Sequence, residues 1–331
     1  MSRTLVSLGG EAGLFELVSH ARRGPGRRER LSTAQIDLIA RTVHRTPEVM
    51  VKVLTRGGKD LKAVGSHLRY LSRRGELEIE TDEGQHLSGR GFEKAIIEDW
   101  DLDLDELRPS AQLRPWNRPP PKLAHKLIFS MPPGTPPTKV LEAVRTLARE
   151  EFALKHRYAM VLHTDEPHPH VHVVVKALGE NGTRLNIRKD TLQRWRREFA
   201  RHLRALGVPA NATERVGRGI SHKPQKDGIF RATLRGASTH DQKRTATVAR
   251  ELRNGALATE PGRSQLQATR REVLRGWAEV ASSLEAQQES ELAAAVRKFA
   301  REMPGPMTDQ ERIAEQLRRG RTSPRAPERS R

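Results

Sequence analysis

The chain contains no cysteine, so disulfides and thiolate metal sites are excluded. It has two tyrosines, Tyr70 and Tyr158, and aromatic residues make up only 4% of it. No apolar run approaches the roughly 20 residues of a membrane span. Residues 1–7 lack the basic start and long apolar stretch of a secretory signal, and the absence of cysteine suits a cytoplasmic protein. Hydrophobic residues reach 35%, so part of the chain is not expected to enter a packed core. No H-E-x-x-H motif is present, which disfavours a metal-dependent hydrolase of small substrates.

Basic charge is abundant. Sixty Lys and Arg face 41 Asp and Glu, a surplus of 19. A surplus of that size favours a polyanionic partner, with nucleic acid ahead of an anionic membrane surface. The 331 residues suffice for one sizeable domain with extensions, or for two small domains.

Three regions are expected. Residues 1–45 read as an N-terminal extension with a basic arm at 21–30, which carries five arginines, followed by a short helix over 32–43 capped by Ser32 or Thr33. A compact α/β unit fills 46–230. Within it, strands are expected at 51–54, 76–80 and 123–131, with a Gly57-Gly58 turn after the first. Helices are expected at 59–73, 138–156 and from Asp190, as N-cap, to Gly207. The last of these has an apolar stripe (Leu192, Trp195, Phe199, Leu203, Leu206) opposite an arginine face that is either solvated or set against phosphate. The acidic stretch 99–106 reads as solvated, and 115–121 as an extended proline-rich linker. Beyond 230 strand signals vanish. Residues 231–331 read as a charged helical tail whose last fourteen residues, with six arginines and two prolines, form a disordered basic segment.

The most informative stretch is HTDEPHPHVH at 163–172, which runs into three valines and holds four of the chain's 13 histidines. β-Branched residues at 171–175 indicate a strand. Alternation then puts His170 and His172 on one face and Val171, Val173 and Val175 on the other. Two imidazoles so placed can share one metal ion. His163, at the end of the apolar run before it, can close a third position. Three imidazoles with positions left open describe a catalytic rather than a structural site. His168 reads as a spacer.

Tyr70 stands out for another reason. On a helical wheel at about 100° per residue, Leu61, Val64, Leu68 and Leu71 share one arc, and Tyr70 lies roughly 130° from its centre. It should project beside Arg69, Arg73 and Arg74. Cations around a phenol favour its ionised form and attract phosphate. A tyrosine nucleophile beside a metal suggests attack on a DNA phosphodiester, with the phosphate polarised and oriented by the metal.

In this context three motifs resemble, in order, those of conjugative relaxases of the HUH endonuclease superfamily, within the mobilisation-type group that includes the T-DNA border endonuclease. They are HLRYLSRRGEL at 67–77, AHKLIFSMPPGT at 124–135 and HTDEPHPHVHVVV at 163–175. The resemblance covers roughly residues 49–230. It implies an α+β fold, a mainly antiparallel central sheet flanked by helices. The histidine strand would lie centrally and the tyrosine helix across the metal. It places Tyr70 at the nucleophile and His163, His170 and His172 at the ligands of a divalent ion (Mg, Mn or Zn). Ser130 falls at a serine tied to DNA positioning, with Arg69, Arg73 and Arg74 toward phosphate. Asp165 matches the motif acid; it either orients a ligand histidine or helps take the Tyr70 proton. Lys176 stands where the family often has Asn, which puts one supporting hydrogen bond in doubt.

The implied activity is nicking of one strand at an origin of transfer through a 5′-phosphotyrosine. The implied partners are origin DNA, accessory nicking proteins and a type IV coupling protein, and the protein would be exported with the DNA. Competing readings are a rolling-circle replication initiator with the same chemistry and a DNA-binding accessory protein without activity.

Overall fold

A computed structural model describes residues 30–54, 58–107, 121–221, 227–255, 257 and 260–320. Most of the basic arm, Gly57, most of the proline-rich linker and the chain after residue 320 lie outside the described residues. The chain divides into two compact units, Arg45–Ala212 and Met1–His44 with Thr213–Arg331.

The first unit is built on a six-stranded sheet. Its strands are β1 (Met50–Leu54), β2 (Ile79–Thr81), β3 (His86–Leu87), β4 (Ala124–Ser130), β5 (Tyr158–His163) and β6 (His170–Lys176), in the order β1-β4-β6-β5-β2-β3. Every pairing is antiparallel. This is the α+β class expected, and β6 lies inside the sheet.

Alternation along β6 decides what each face does. Val171, Val173 and Val175 point into the larger core with Leu127, Phe129, Tyr158 and Met160. That core is closed by α5 (Pro137–Phe152) and α6 (Lys189–Ala205). The stripe of α6 buries Trp195, Phe199 and Leu203 completely. Phe199 meets Phe129 edge-on at 5.4 Å and Trp195 meets Phe152 at 5.5 Å, geometries that suit aromatic quadrupoles. Losing the Trp195 indole would cost about 3–5 kcal/mol.

The arginines of α6 are engaged within the protein. Arg194 pairs with Glu151, Arg201 with Glu150 and Glu198, and Arg196 and Arg204 donate to the carbonyls of Val51 and Ala210. The helix starts after Arg188 rather than at Asp190, because the Thr191 hydroxyl accepts the Arg188 N–H at 3.3 Å and draws the first turn back.

The opposite sheet face is covered by α2 (Leu61–Leu71), α3 (Phe92–Asp99) and α4 (Leu102–Leu107). Val64, Leu68 and Leu71 of α2 pack with Ile96, Trp100, Ala159, Val161 and Val174. Asp60 caps α2 by accepting the Ala63 N–H at 2.7 Å. The strand expected at 76–80 is displaced to 79–81, because the chain is still turning out of α2, with the Leu77 N–H bonded back to the Ser72 carbonyl. The acidic stretch is not simply solvated. Asp105 is turned inward by α4, 2% exposed, and lies 3.9 Å from the ammonium of buried Lys176 at the end of β6.

The second unit is helical. Its elements are α1 (Thr33–Val43), α7 (Asp227–Leu234), α8 (Thr239–Arg253), α9 (Arg263–Ala286), α10 (Ser290–Glu302) and α11 (Asp309–Gly320). Ser32 caps α1 in a reciprocal box with Gln35. Ile39 and Val43 of α1 share one core with Trp277, Val280 and Leu284 of α9 and with Val296 and Phe299 of α10. The Trp277 indole donates to the Gly217 carbonyl at 2.8 Å. Residues after Ala212 are thereby tied to the helices, whereas the expected sheet domain ran to 230. No described helix is long and apolar enough to cross a membrane.

Candidate metal centre and tyrosine

Strand register assembles the histidines. Directly opposed residues of antiparallel strands point to the same face. His170 opposes Ser130 on one side and His163 on the other; His172 opposes Ile128 and Val161. The three imidazoles therefore occupy one patch of the α2 face, with ring centroids 5.1, 4.7 and 5.1 Å apart. One nitrogen from each lies within 4.8 Å of the others.

Hydrogen bonds choose which nitrogen is offered. The Leu71 carbonyl, at 2.7 Å, can only accept, so Nε2 of His163 carries a proton and Nδ1 keeps its lone pair. The His168 carbonyl, at 3.0 Å, does the same for Nδ1 of His170 and leaves Nε2 as its lone pair. Nδ1 of His172 is buried with no hydrogen-bond partner. Burial, followed by the neighbouring histidines and Arg73, pushes the His172 pKa down to about 3, and burial lowers that of His163. Three neutral imidazoles, with one nitrogen of each within 4.8 Å of the others, fit a divalent cation.

Tyr70 emerges from the last turn of α2 and is 54% exposed. Two residues join it to the histidines. His67, one helical turn earlier, stacks on the Tyr70 ring at 6.4 Å and meets His172 edge-on at 6.4 Å. Burial, with Lys126 adding to it, holds the His67 pKa at about 4. Arg73, in left-handed backbone at φ 53°, lies 5.4 Å from the Tyr70 ring centroid. The same guanidinium reaches Asp165 and stands 3.4 Å from Nδ1 of His163. Burial alone would raise the Asp165 pKa; the Arg73 hydrogen bond and charge, with a backbone hydrogen bond and His163, together outweigh it and hold the carboxyl below its usual range.

The remaining expected residues are dispersed around this centre. Ser130 is buried on the histidine face and donates to the Met131 carbonyl at 3.4 Å. Arg69 is bound to Glu93 at 2.8 Å, so that it and Arg73 are both engaged by acids. Arg74 is exposed, with φ 64°. Sequence reasoning missed His67; its i, i+3 spacing from Tyr70 on one helix was the available signal. It also missed Lys126, 5% exposed on the histidine face, whose ammonium donates to the Ala63 carbonyl at 3.4 Å. A second group, Glu150, Glu198 and His202, lies between α5 and α6, where Arg201 pairs with both acids.

Residues 79–208 match the family model of the MobA/VirD2-like relaxase nuclease domain. The match contains all three histidines, Ser130 and Asp165, and leaves α2 with Tyr70 outside it. Among curated relatives, the T-DNA border endonuclease VirD2 of Rhizobium radiobacter is 29% identical over 199 residues, covering 54% of this chain and 44% of its own. The VirD2 proteins of Agrobacterium fabrum and Rhizobium rhizogenes are each 28% identical and are covered over 42% and 46% of their length. The chain thus spans less than half the length of these relatives.

Among solved structures, the conjugative relaxase TrwC in complex with oriT DNA, metal-free, aligns with 82% of this chain and 96% of that one at 15% identity and a TM-score of 0.30. A structure concerned with vancomycin resistance transfer in Staphylococcus aureus aligns with 30% and 61% at 20% identity and a TM-score of 0.24. Superpositions that loose say nothing about the site.

Proposed function

We propose that the sheet unit is a single-tyrosine DNA relaxase that nicks one strand at an origin of transfer. The observation that carries this reading is the double link from the exposed Tyr70, through His67 and through Arg73, to the three-histidine cluster. The Tyr70 oxygen attacks the scissile phosphorus. A Tyr–O–P bond forms, the bond to the 3′ oxygen breaks, that oxygen leaves as a 3′ hydroxyl, and the phenolic proton is given up. The 5′ end remains on Tyr70. The ester bond is exchanged rather than hydrolysed, so the strand can be rejoined without ATP.

A divalent cation held by His163, His170 and His172 would polarise the non-bridging phosphate oxygens. Arg73 fixes Asp165 beside His163 and adds positive charge where the phosphate must lie. The surplus of 19 positive charges supplies the general attraction for DNA. Partners of the same reading are accessory nicking proteins and a type IV coupling protein. An export signal in the arginine-rich C-terminus belongs to it as well.

The test is incubation with supercoiled plasmid bearing the cognate origin and a divalent salt, followed by denaturing electrophoresis and mapping of the DNA-linked peptide. A peptide containing Tyr70 attached to a 5′ end is expected. Nicking without attached protein, or attachment elsewhere, overturns the mechanism.

A further inference from the structure

Tyr70 also borders a pocket of about 530 Å³ that contains none of the histidines. Ser66, Arg69 and Tyr70 of α2, Arg74 just beyond it, and Gly89 to Glu93 line it. The volume is that of a small-ligand cleft. Its rim is held to the turn that follows the tyrosine helix: the Gly89 N–H donates to the Gly75 carbonyl at 3.0 Å, and a Cβ on Gly75 would meet the Gly89 carbonyl oxygen at 2.0 Å. The Gly89 and Gly91 positions themselves face open space.

The pocket's chemistry has two parts. Arg69, Arg74 and Arg90 bring three guanidiniums, all on exposed residues, suited to phosphate. Glu93 is 5% exposed, and Arg69 holds only its Oε1. Its Oε2 is buried without a hydrogen-bond partner. A carboxylate oxygen in that state is a vacancy for a donor, since buried acceptors are normally satisfied. Burial disfavours the charge on Glu93, but the Arg69 hydrogen bond and charge, a backbone hydrogen bond and Lys94 together outweigh it, so the carboxyl lies below its usual range and is ionised, hence acceptor-only.

We propose that this pocket holds the one nucleotide of the cut strand that neighbours the scissile phosphate, with its phosphate on Arg69, Arg74 and Arg90 and an exocyclic amino group of its base donating to Oε2 of Glu93. The inference rests on the relaxase reading and adds a base preference to it. Cytosine, adenine and guanine carry such an amino group; thymine does not. Carboxylate acceptance from cytosine N4 is the known pairing of this kind. Arg69 serves both halves, because it neutralises Glu93 and so lets a phosphate approach within the same pocket.

The test uses the full chain with Tyr70→Phe, which separates binding from strand cleavage, and a randomised single-stranded DNA pool whose bound fraction is sequenced. One position of the selected motif should show thymine depleted by about tenfold. Glu93→Gln, which replaces an acceptor oxygen by a donor, should remove that depletion at that position alone. Identical motifs from both proteins overturn the proposal, and Arg69–Glu93 is then only a tie between α2 and α3. Should Glu93→Gln fail to fold, Arg90→Ala on the exposed rim replaces it. Arg90→Ala should weaken binding several-fold across all sequences and lower the salt slope by about one; unchanged affinity and slope overturn the pocket. A parent protein that binds no single-stranded DNA refutes the relaxase reading itself, a result distinct from either of these.

Discussion

Arg73 is bound to Asp165, which joins the end of the tyrosine helix to the loop that follows His163. The two residues come from opposite ends of the site and lie 92 positions apart in the chain. Replacing Arg73 by Ala should slow formation of the covalent adduct by about 10–100-fold while changing DNA affinity far less, since one positioned electrostatic partner has an effect of that order. Single-turnover rates beside anisotropy titrations read both. A loss of affinity equal to the loss of rate would mean that Arg73 only holds DNA.

Tyr70→Phe removes a single oxygen from a ring that is more than half exposed. The melting temperature should stay within about 2 °C, because exposed substitutions fall within about ±0.5 kcal/mol. DNA binding should persist and the adduct should vanish from denaturing gels. A normal adduct yield would reassign the nucleophile.

His170→Ala with His172→Ala leaves His163 without its two partner imidazoles. Calorimetry with Mn²⁺ or Zn²⁺ should show metal affinity reduced by at least about 100-fold, and nicking should fall by orders of magnitude. Excess chelator should stop the parent protein in the same assay, with recovery on adding metal back. Nicking that survives both treatments would dissociate the cluster from the chemistry.

Asp105→Ala strands the buried ammonium of Lys176 with the exposed Glu180, 3.4 Å away. Removing one member of a buried pair costs about 3–5 kcal/mol, less here because Glu180 remains, so about 2–3 kcal/mol is expected. In a unit of this size that lowers the melting temperature by roughly 5–10 °C. Scanning calorimetry showing no change would mean that Lys176 is satisfied without Asp105.

DNA binding should weaken steeply with salt. Six to ten phosphate contacts imply a loss of about 10³–10⁵ in affinity between 50 and 200 mM. A flat dependence would place the interface away from the basic surface.

The histidine site was legible because its geometry is local. His170 and His172 share a face through strand alternation alone, and the valines between them mark the strand. The exposure of Tyr70 followed from the helical wheel, since the apolar arc of α2 leaves it no place in the core. The arginines were less legible. Arg69, Arg73 and four of the α6 arginines are bound to acids and carbonyls, most of them contributed by other elements, and a charge count contains no partners. Asp105 was misread for the same reason: an acidic run looks solvated until a helix turns one member toward a buried lysine. The affiliation of α1 with α9 and α10 was equally hidden, because Ile39 and Val43 meet Trp277 only across more than two hundred residues.

By itself, then, the amino-acid order determined the periodicities, the histidine-bearing strand, the outward tyrosine and the excess of positive charge, all of which depend on neighbours within a few residues. Tertiary structure alone decided that β5 pairs beside β6 in the register that opposes His163 to His170, that Arg73 closes on Asp165, and that Glu93 is left with one acceptor unfilled beside Tyr70. Those relationships arise from sheet register and from helices docking on one face of the sheet, and both are set by burial summed over the whole unit.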